Sequence, residues 1–330
     1  MKKKSVKRKK GSALGAALRT VTTMPLALAG GWIAYSNLGI DHAVPLQKAI
    51  DADQETFAGR TGGGLAYYAD TRAGGRPLVL IHSVNAAASS FEMRPLFDHF
   101  RSTRPVYALD LPGFGFSERS DREYSPRVFQ DAINDFLETR VKQAADVVAL
   151  SLGCEFAARA ALARPEQFQS LALISPSGFG ESADGVASGD TIYQALSFPL
   201  WGRPLYDLIA TRPSIQYFLS QSFEGPVDPA MIDYAYATSH QPGAQYAPLY
   251  FVSGRLFTPG VRTRVYDALS LPVMVLFDRD AFVSFALLPE FIAAHRNWES
   301  KRIYPTRGLP HFERLGEVAE NLGRFWKGEG

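Results

Sequence analysis

The stretch Val147-Val148-Ala149-Leu150-Ser151-Leu152-Gly153 is an apolar run ending on a serine, with a small residue two positions away on either side. The run reads as a buried strand, and the Ala-rich residues 154–164 after it read as a helix. A serine at such a strand-to-helix turn sits on a strained bend. Small neighbours keep the backbones apart there, and the first amides of the helix point at the hydroxyl. The pattern alone is unspecific, because a strand-end or N-cap serine looks the same.

Outward from this turn, short apolar runs alternate with helical segments. Residues 77–82 (PLVLIH) and 105–110 (PVYALD) read as buried parallel strands, and residues 91–100 between them carry aromatic, Met and Leu positions at helical spacing. Residues 170–175 (SLALIS) are a further strand. Strands alternating with helices predict a mainly parallel sheet covered on both faces, and ligands of such sheets sit beyond the carboxyl ends of the strands. Ser151 is at that edge.

Two segments carry a family likeness. DLPGFGFS at residues 110–117 is similar to the loop that alpha/beta-hydrolases carry after their fourth strand, and ALSLG at 149–153 resembles their nucleophile elbow. The chain resembles the alpha/beta-hydrolase superfamily, of the serine-nucleophile, capped type, over residues 60–328. The resemblance implies an α/β fold, a mainly parallel sheet with helices on both faces and an inserted helical lid. It also implies a catalytic triad in the chain order Ser, acid, His.

The remaining triad members are implied near the C-terminus. The strand-like residues 271–277 lead into Asp278-Arg279-Asp280, and Asp280 falls where the family's acid does when the loop is read back from Phe282-Val283. Asp278 is the alternative, since Phe277 runs directly into it where the family usually places a glycine. Either could instead cap the helix beginning near Leu287. Of six histidines, His311 follows a strand-like segment and precedes an amphipathic terminal helix, as the family's catalytic histidine does. His42, His99, His240 and His295 fit worse. The oxyanion donors implied are the backbone amides of Leu152 and Val84. The family's usual His-Gly pair reads His82-Ser83 here, so either the loop takes another path or Ser83 adds its hydroxyl as a donor. His82 is expected to anchor this loop.

In this scheme His311 takes the proton of Ser151, Asp280 holds the imidazole in one tautomer, and the amides bind the oxyanion. Family members that open epoxides or displace halide use an aspartate at the elbow, so Ser151 points to acyl transfer. No cofactor is expected. No metal-ligand spacing occurs, and Gly62-Gly63-Gly64 lacks the lysine of a phosphate loop. Residues 177–270 are too long for a plain connection and read as a helical lid. Tyr193, Phe198, Trp201, Tyr206, Tyr217 and Phe218 are among its many aromatics, which implies an apolar chamber and an apolar or lipid-like substrate.

The N-terminus reads separately. Seven of the first ten residues are Lys or Arg, and an uncharged stretch runs from Thr20 to Ile40. That length predicts a marginal transmembrane helix with the catalytic domain on the non-cytoplasmic side. A cleaved signal with Ala27-Leu28-Ala29 as processing site, giving a secreted protein, and a peripheral surface helix are the alternatives. The formal charge is +2, and without those seven residues it is −5, which argues against a nucleic-acid partner. The single Cys154 excludes an internal disulfide.

The organisation expected is a tail and anchor at 1–40, a polar connector at 41–60, and a hydrolase core at 61–176 and 271–330 interrupted by the lid. The function expected is a membrane-associated serine hydrolase that cleaves an ester-like bond. A carbon–carbon bond hydrolase or lactonase with the same triad is the alternative, as is a non-catalytic binder that keeps the fold.

Overall fold

In the computed structural model, which describes residues 28–181 and 189–328, the apolar runs lie side by side in one eight-stranded sheet. The strands are β1 (Asp53–Gly59), β2 (Gly63–Asp70), β3 (Leu78–Ile81), β4 (Val106–Leu109), β5 (Ala145–Leu150), β6 (Phe168–Ile174), β7 (Val273–Arg279) and β8 (Trp298–Arg307). Their order is β1-β2-β4-β3-β5-β6-β7-β8. β2 is antiparallel to both β1 and β4, and the pairs from β4 through β8 are parallel.

The helices are α1 (28–39), α2 (Arg94–Phe100), α3 (Pro126–Phe136), α4 (Gly153–Ala163), α5 (Gly189–Leu196), α6 (Gly202–Ile209), α7 (Arg212–Ser220), α8 (Pro229–Ser239), α9 (Tyr246–Val252), α10 (Val261–Arg264), α11 (Leu288–Ala294), α12 (Pro310–Glu313) and α13 (Leu315–Lys327).

The central strands are apolar throughout because both of their faces are covered. Successive side chains point to opposite faces. Val79, Ile81, Val147 and Ala149 therefore pack with Phe129 and Phe136 of α3 and Phe156 of α4. Leu78, Leu80, Val148 and Leu150 pack with Leu96 and Phe97 of α2 and Val318 and Leu322 of α13. Residues 53–59, read as part of a polar connector, instead form the edge strand β1. Only Phe57 of that strand is buried, so it carries no apolar periodicity to betray it.

Helices α5 to α10 occupy the long insertion between β6 and β7. The start of the insertion and the turn between α9 and α10 are tied to one buried carboxylate, Glu155 of α4, which accepts from Ser177 Oγ at 2.5 Å and from the Thr258 amide at 2.7 Å. Phe198, Trp201, Tyr217 and Phe218 are exposed on the insertion, so these four line no enclosed chamber.

The transmembrane expectation is overturned. No helix among the described residues is long and apolar enough to cross a membrane, so a single N-terminal membrane segment is not supported. The helix described in that stretch is tied to the insertion by two side-chain hydrogen bonds. Trp32 Nε1 donates to the Pro204 carbonyl at 2.8 Å, and the buried Ser36 hydroxyl donates to Asp207 at 2.6 Å. The basic tail and residues 20–27, including Ala27 of the processing site considered above, lie outside the described residues.

Asp207 is the centre of this attachment. Its carboxylate also lies 3.1 Å from His42 Nε2, and Val44 exchanges bonds with His240 and Gln241 just beyond. Replacing Asp207 by Ala strands the buried Ser36 hydroxyl. The expected cost is about 1–3 kcal/mol in urea-induced unfolding, with faster proteolysis of residues 28–44. An unchanged unfolding midpoint would show that the clasp contributes nothing.

Candidate active site

Strand register brings the expected residues to one edge. Ile81 is level with Ala149, Leu150 with Ile174, and Ile174 with Leu276. The segments that follow these strands, 82–88, 151–153, 175–177 and 277–280, all leave the sheet on the same side.

Ser151 sits on the bend anticipated for it. Its φ is +51°, in the left-handed region that an L-residue enters at a cost, and its amide donates to the Ile174 carbonyl at 2.8 Å. α4 begins two residues on. A Cβ on Gly153 would lie 2.3 Å from the His82 carbonyl oxygen, so only glycine lets the helix pass the end of β3. Cys154 is fully buried, and burial pushes its thiol well above the usual range, which makes it inert packing.

The loop after β3 is held by polar groups sunk in the core. His82 accepts from the Leu111 amide through Nε2 at 2.9 Å, so its proton is on Nδ1, which donates to the Ser83 carbonyl at 2.5 Å. Burial lowers the His82 pKa and keeps the ring neutral. It anchors the loop, as expected. Ser83 has no left-handed φ, so the missing glycine costs no backbone strain. Its amide is engaged by Glu92 at 2.9 Å, and its hydroxyl accepts from Asn85 Nδ2 at 2.9 Å. Among the described residues the amides of Leu152 and Val84 donate to nothing. Both are thus free to bind an oxyanion.

The adjoining loop 110–117 is built on Asp110, whose carboxylate accepts from the amides of Ser90 and Phe116, each at 2.9 Å. A Cβ on Gly115 would overlap that carboxylate.

His311 is completely buried on α12. Its Nε2 lies 2.7 Å from the Glu92 carbonyl, and its Nδ1 has no partner among the described residues. Burial pushes the imidazole down to about 4, with the Glu92 contact opposing. Asp280 accepts from the amides of Phe282 and Val283 at 2.7 and 3.2 Å and lies beside Gly308, three residues before His311. Burial raises its pKa. No hydrogen bond joins Ser151, Asp280 and His311 to one another in this conformation. The alternative acid, Asp278, is committed elsewhere. It is bound by Arg302 Nε at 2.6 Å and by the Thr306 amide at 2.8 Å, which brace β8.

Sequence reading missed Glu92 and Asn85. Glu92 sits in the helical run 91–100, where nothing marks a carboxylate as buried, and Asn85 sits in the loop after β3, where nothing marks its side chain as a partner.

Gly153→Ala is expected to cost several kcal/mol or to abolish accumulation of folded protein, read by thermal unfolding, because the atom it meets is backbone. His311 gives a pH test. Its folded pKa lies below the unfolded value of about 6.5, so its contribution is complete above pH 6.5 and is lost as pH falls toward 4. Wild type should lose up to about 3 kcal/mol more than His311→Gln across that window. Parallel stability profiles for the two proteins would contradict the buried neutral ring.

A profile for the alpha/beta hydrolase family matches residues 78–321. The chain is 36% identical over 128 residues to the dihydrolipoyllysine-residue acetyltransferase component of the acetoin cleaving system of Cupriavidus necator, covering 38% of this chain and 32% of that protein. It is 31% identical over 106 residues to 2-hydroxymuconate semialdehyde hydrolase of Pseudomonas sp. strain CF600, covering 32% and 38%. The chain therefore spans about a third of the length of these curated relatives. Among solved structures, a serine hydrolase involved in carbazole degradation superposes with a TM-score of 0.66 at 18% identity, covering 83% of this chain and 99% of that one. With a mainly parallel sheet, a serine on a left-handed bend after β5 and a family profile matched over most of its length, the chain belongs to the alpha/beta hydrolase family.

Proposed function

We propose that the protein is a serine hydrolase that cleaves an ester-like bond in an apolar substrate through an acyl-enzyme. The observation that carries this reading is the left-handed Ser151, together with the amides of Leu152 and Val84 that are left unengaged. Ser151 Oγ attacks the carbonyl carbon and passes its proton to His311. The oxyanion accepts from the two amides, and the leaving alcohol takes the proton from the imidazole. Water then enters and releases the acid by the same route. Asp280 serves as the acid, because Asp278 is already bound to Arg302 and Thr306. For His311 to act, its ring must give up the Glu92 carbonyl and turn toward Ser151.

The apolar preference rests on the aromatic content of the insertion, where Tyr206, Tyr234 and Tyr250 are buried. A carbon–carbon bond hydrolase is the second reading, favoured by the partial likeness to the semialdehyde hydrolase. Turnover of aryl esters against vinylogous diketones separates the two.

A fluorophosphonate probe should label Ser151 in the wild type. Ser151→Ala should not label, and His311→Ala should label far more slowly. Each variant should lose about 10⁴- to 10⁶-fold in kcat on an aryl ester. A wild type that neither labels nor turns over would mark the chain as a binder on a hydrolase scaffold.

A further inference from the structure

The loop after β3 holds Val84, yet it has neither regular structure nor the glycine its position would suggest. Its backbone must find partners elsewhere. Two of its amides, those of Ser83 and Ala87, are served by Glu92 directly or through Asn85, and Glu92 is buried in the turn before α2. Oε2 of Glu92 accepts the Ser83 amide at 2.9 Å, and Oε1 accepts Asn85 Nδ2 at 3.0 Å. Asn85 in turn donates to Ser83 Oγ at 2.9 Å and accepts from the Ala87 amide at 2.8 Å. The residues on both sides of Val84 are therefore fixed by one carboxylate. The main-chain carbonyl of the same residue holds His311 Nε2.

We propose that Glu92 is a positioning residue that aims the Val84 amide at the oxyanion site, doing with a buried carboxylate what a fixed loop conformation does elsewhere. This rests on the serine-hydrolase reading above. The chemistry requires a carboxylate because two donors converge on it from different residues. Only a group that accepts at both oxygens satisfies both. A glutamine in its place accepts from one donor and turns its own N–H against the other. Because the Ser83 amide is consumed by this contact, Val84 is left to donate.

The pairing makes a reciprocal test. In Glu92→Gln, one donor of the loop faces the new amide nitrogen. In Asn85→Asp, two carboxylates face each other. In the double variant the complement returns. The side-chain amide at position 92 then accepts from the Ser83 amide through its oxygen and donates through its nitrogen to the carboxylate at position 85. The other oxygen of that carboxylate still receives the Ala87 amide. Losing the aim of one oxyanion donor is worth up to about 100-fold, so each single variant should show kcat on an aryl ester about 10- to 100-fold lower, with KM within about threefold of wild type. The double variant should recover to within about fivefold of wild type.

Rates are expressed per Ser151 titrated by fluorophosphonate, so a loss of folded protein alone does not change them. A wild-type kcat per titrated site in either single variant would overturn the proposal, and so would a double variant no better than the singles. Should Glu92→Gln fail to accumulate, Asn85→Asp and its rescue by the double variant carry the same decision. A wild type that does not label at Ser151 sinks the hydrolase reading itself and this role with it. A wild type that labels beside an unaffected Glu92→Gln sinks this role alone.

Discussion

The site depends on how closely the first turn of α4 passes the end of β3. These two elements belong to neighbouring parallel strands, β3 and β5, so their following segments emerge side by side. The approach is so tight that a methyl group on Gly153 would touch the His82 carbonyl. Ser151 takes a left-handed φ to make the turn, a local cost that the packed strands on either side outweigh. Without this crossing the turn at Ser151 would not lie against the end of β3.

Around this crossing the interior carries charged and polar side chains, each given partners by backbone groups. Asp110 receives the Ser90 and Phe116 amides, His82 joins Leu111 to Ser83, Glu92 receives Ser83, and Glu155 binds Thr258. Irregular loops cannot satisfy their own amides as helices and strands do, so the core supplies acceptors. Burying these groups unpaired would cost several kcal/mol each. Paired, they give each loop one conformation.

His311 follows the same logic. Enclosure keeps the ring uncharged at neutral pH, and the Glu92 carbonyl engages its Nε2. The bare Nδ1 is the side of the ring that an acid would have to meet. The resting molecule thus leaves the amides of Leu152 and Val84 unengaged and Nδ1 of His311 without a partner among the described residues.

The sequence by itself determined the sheet and the elbow. Runs such as residues 78–81 and 145–150 are apolar at every position because both faces are covered, and the small residues around Ser151 state the tightness of the turn in advance. Tertiary structure alone decided the rest. It bound Asp278 to Arg302 and Thr306, turned a polar connector into the edge strand β1, and docked residues 28–39 on Asp207 where hydropathy had suggested a membrane span. It also brought Glu92 beneath the loop after β3. The physical reason is common to all of these. Periodicity reports how much of a residue is covered, whereas the partner of a buried polar group comes from a distant part of the chain and leaves no local trace.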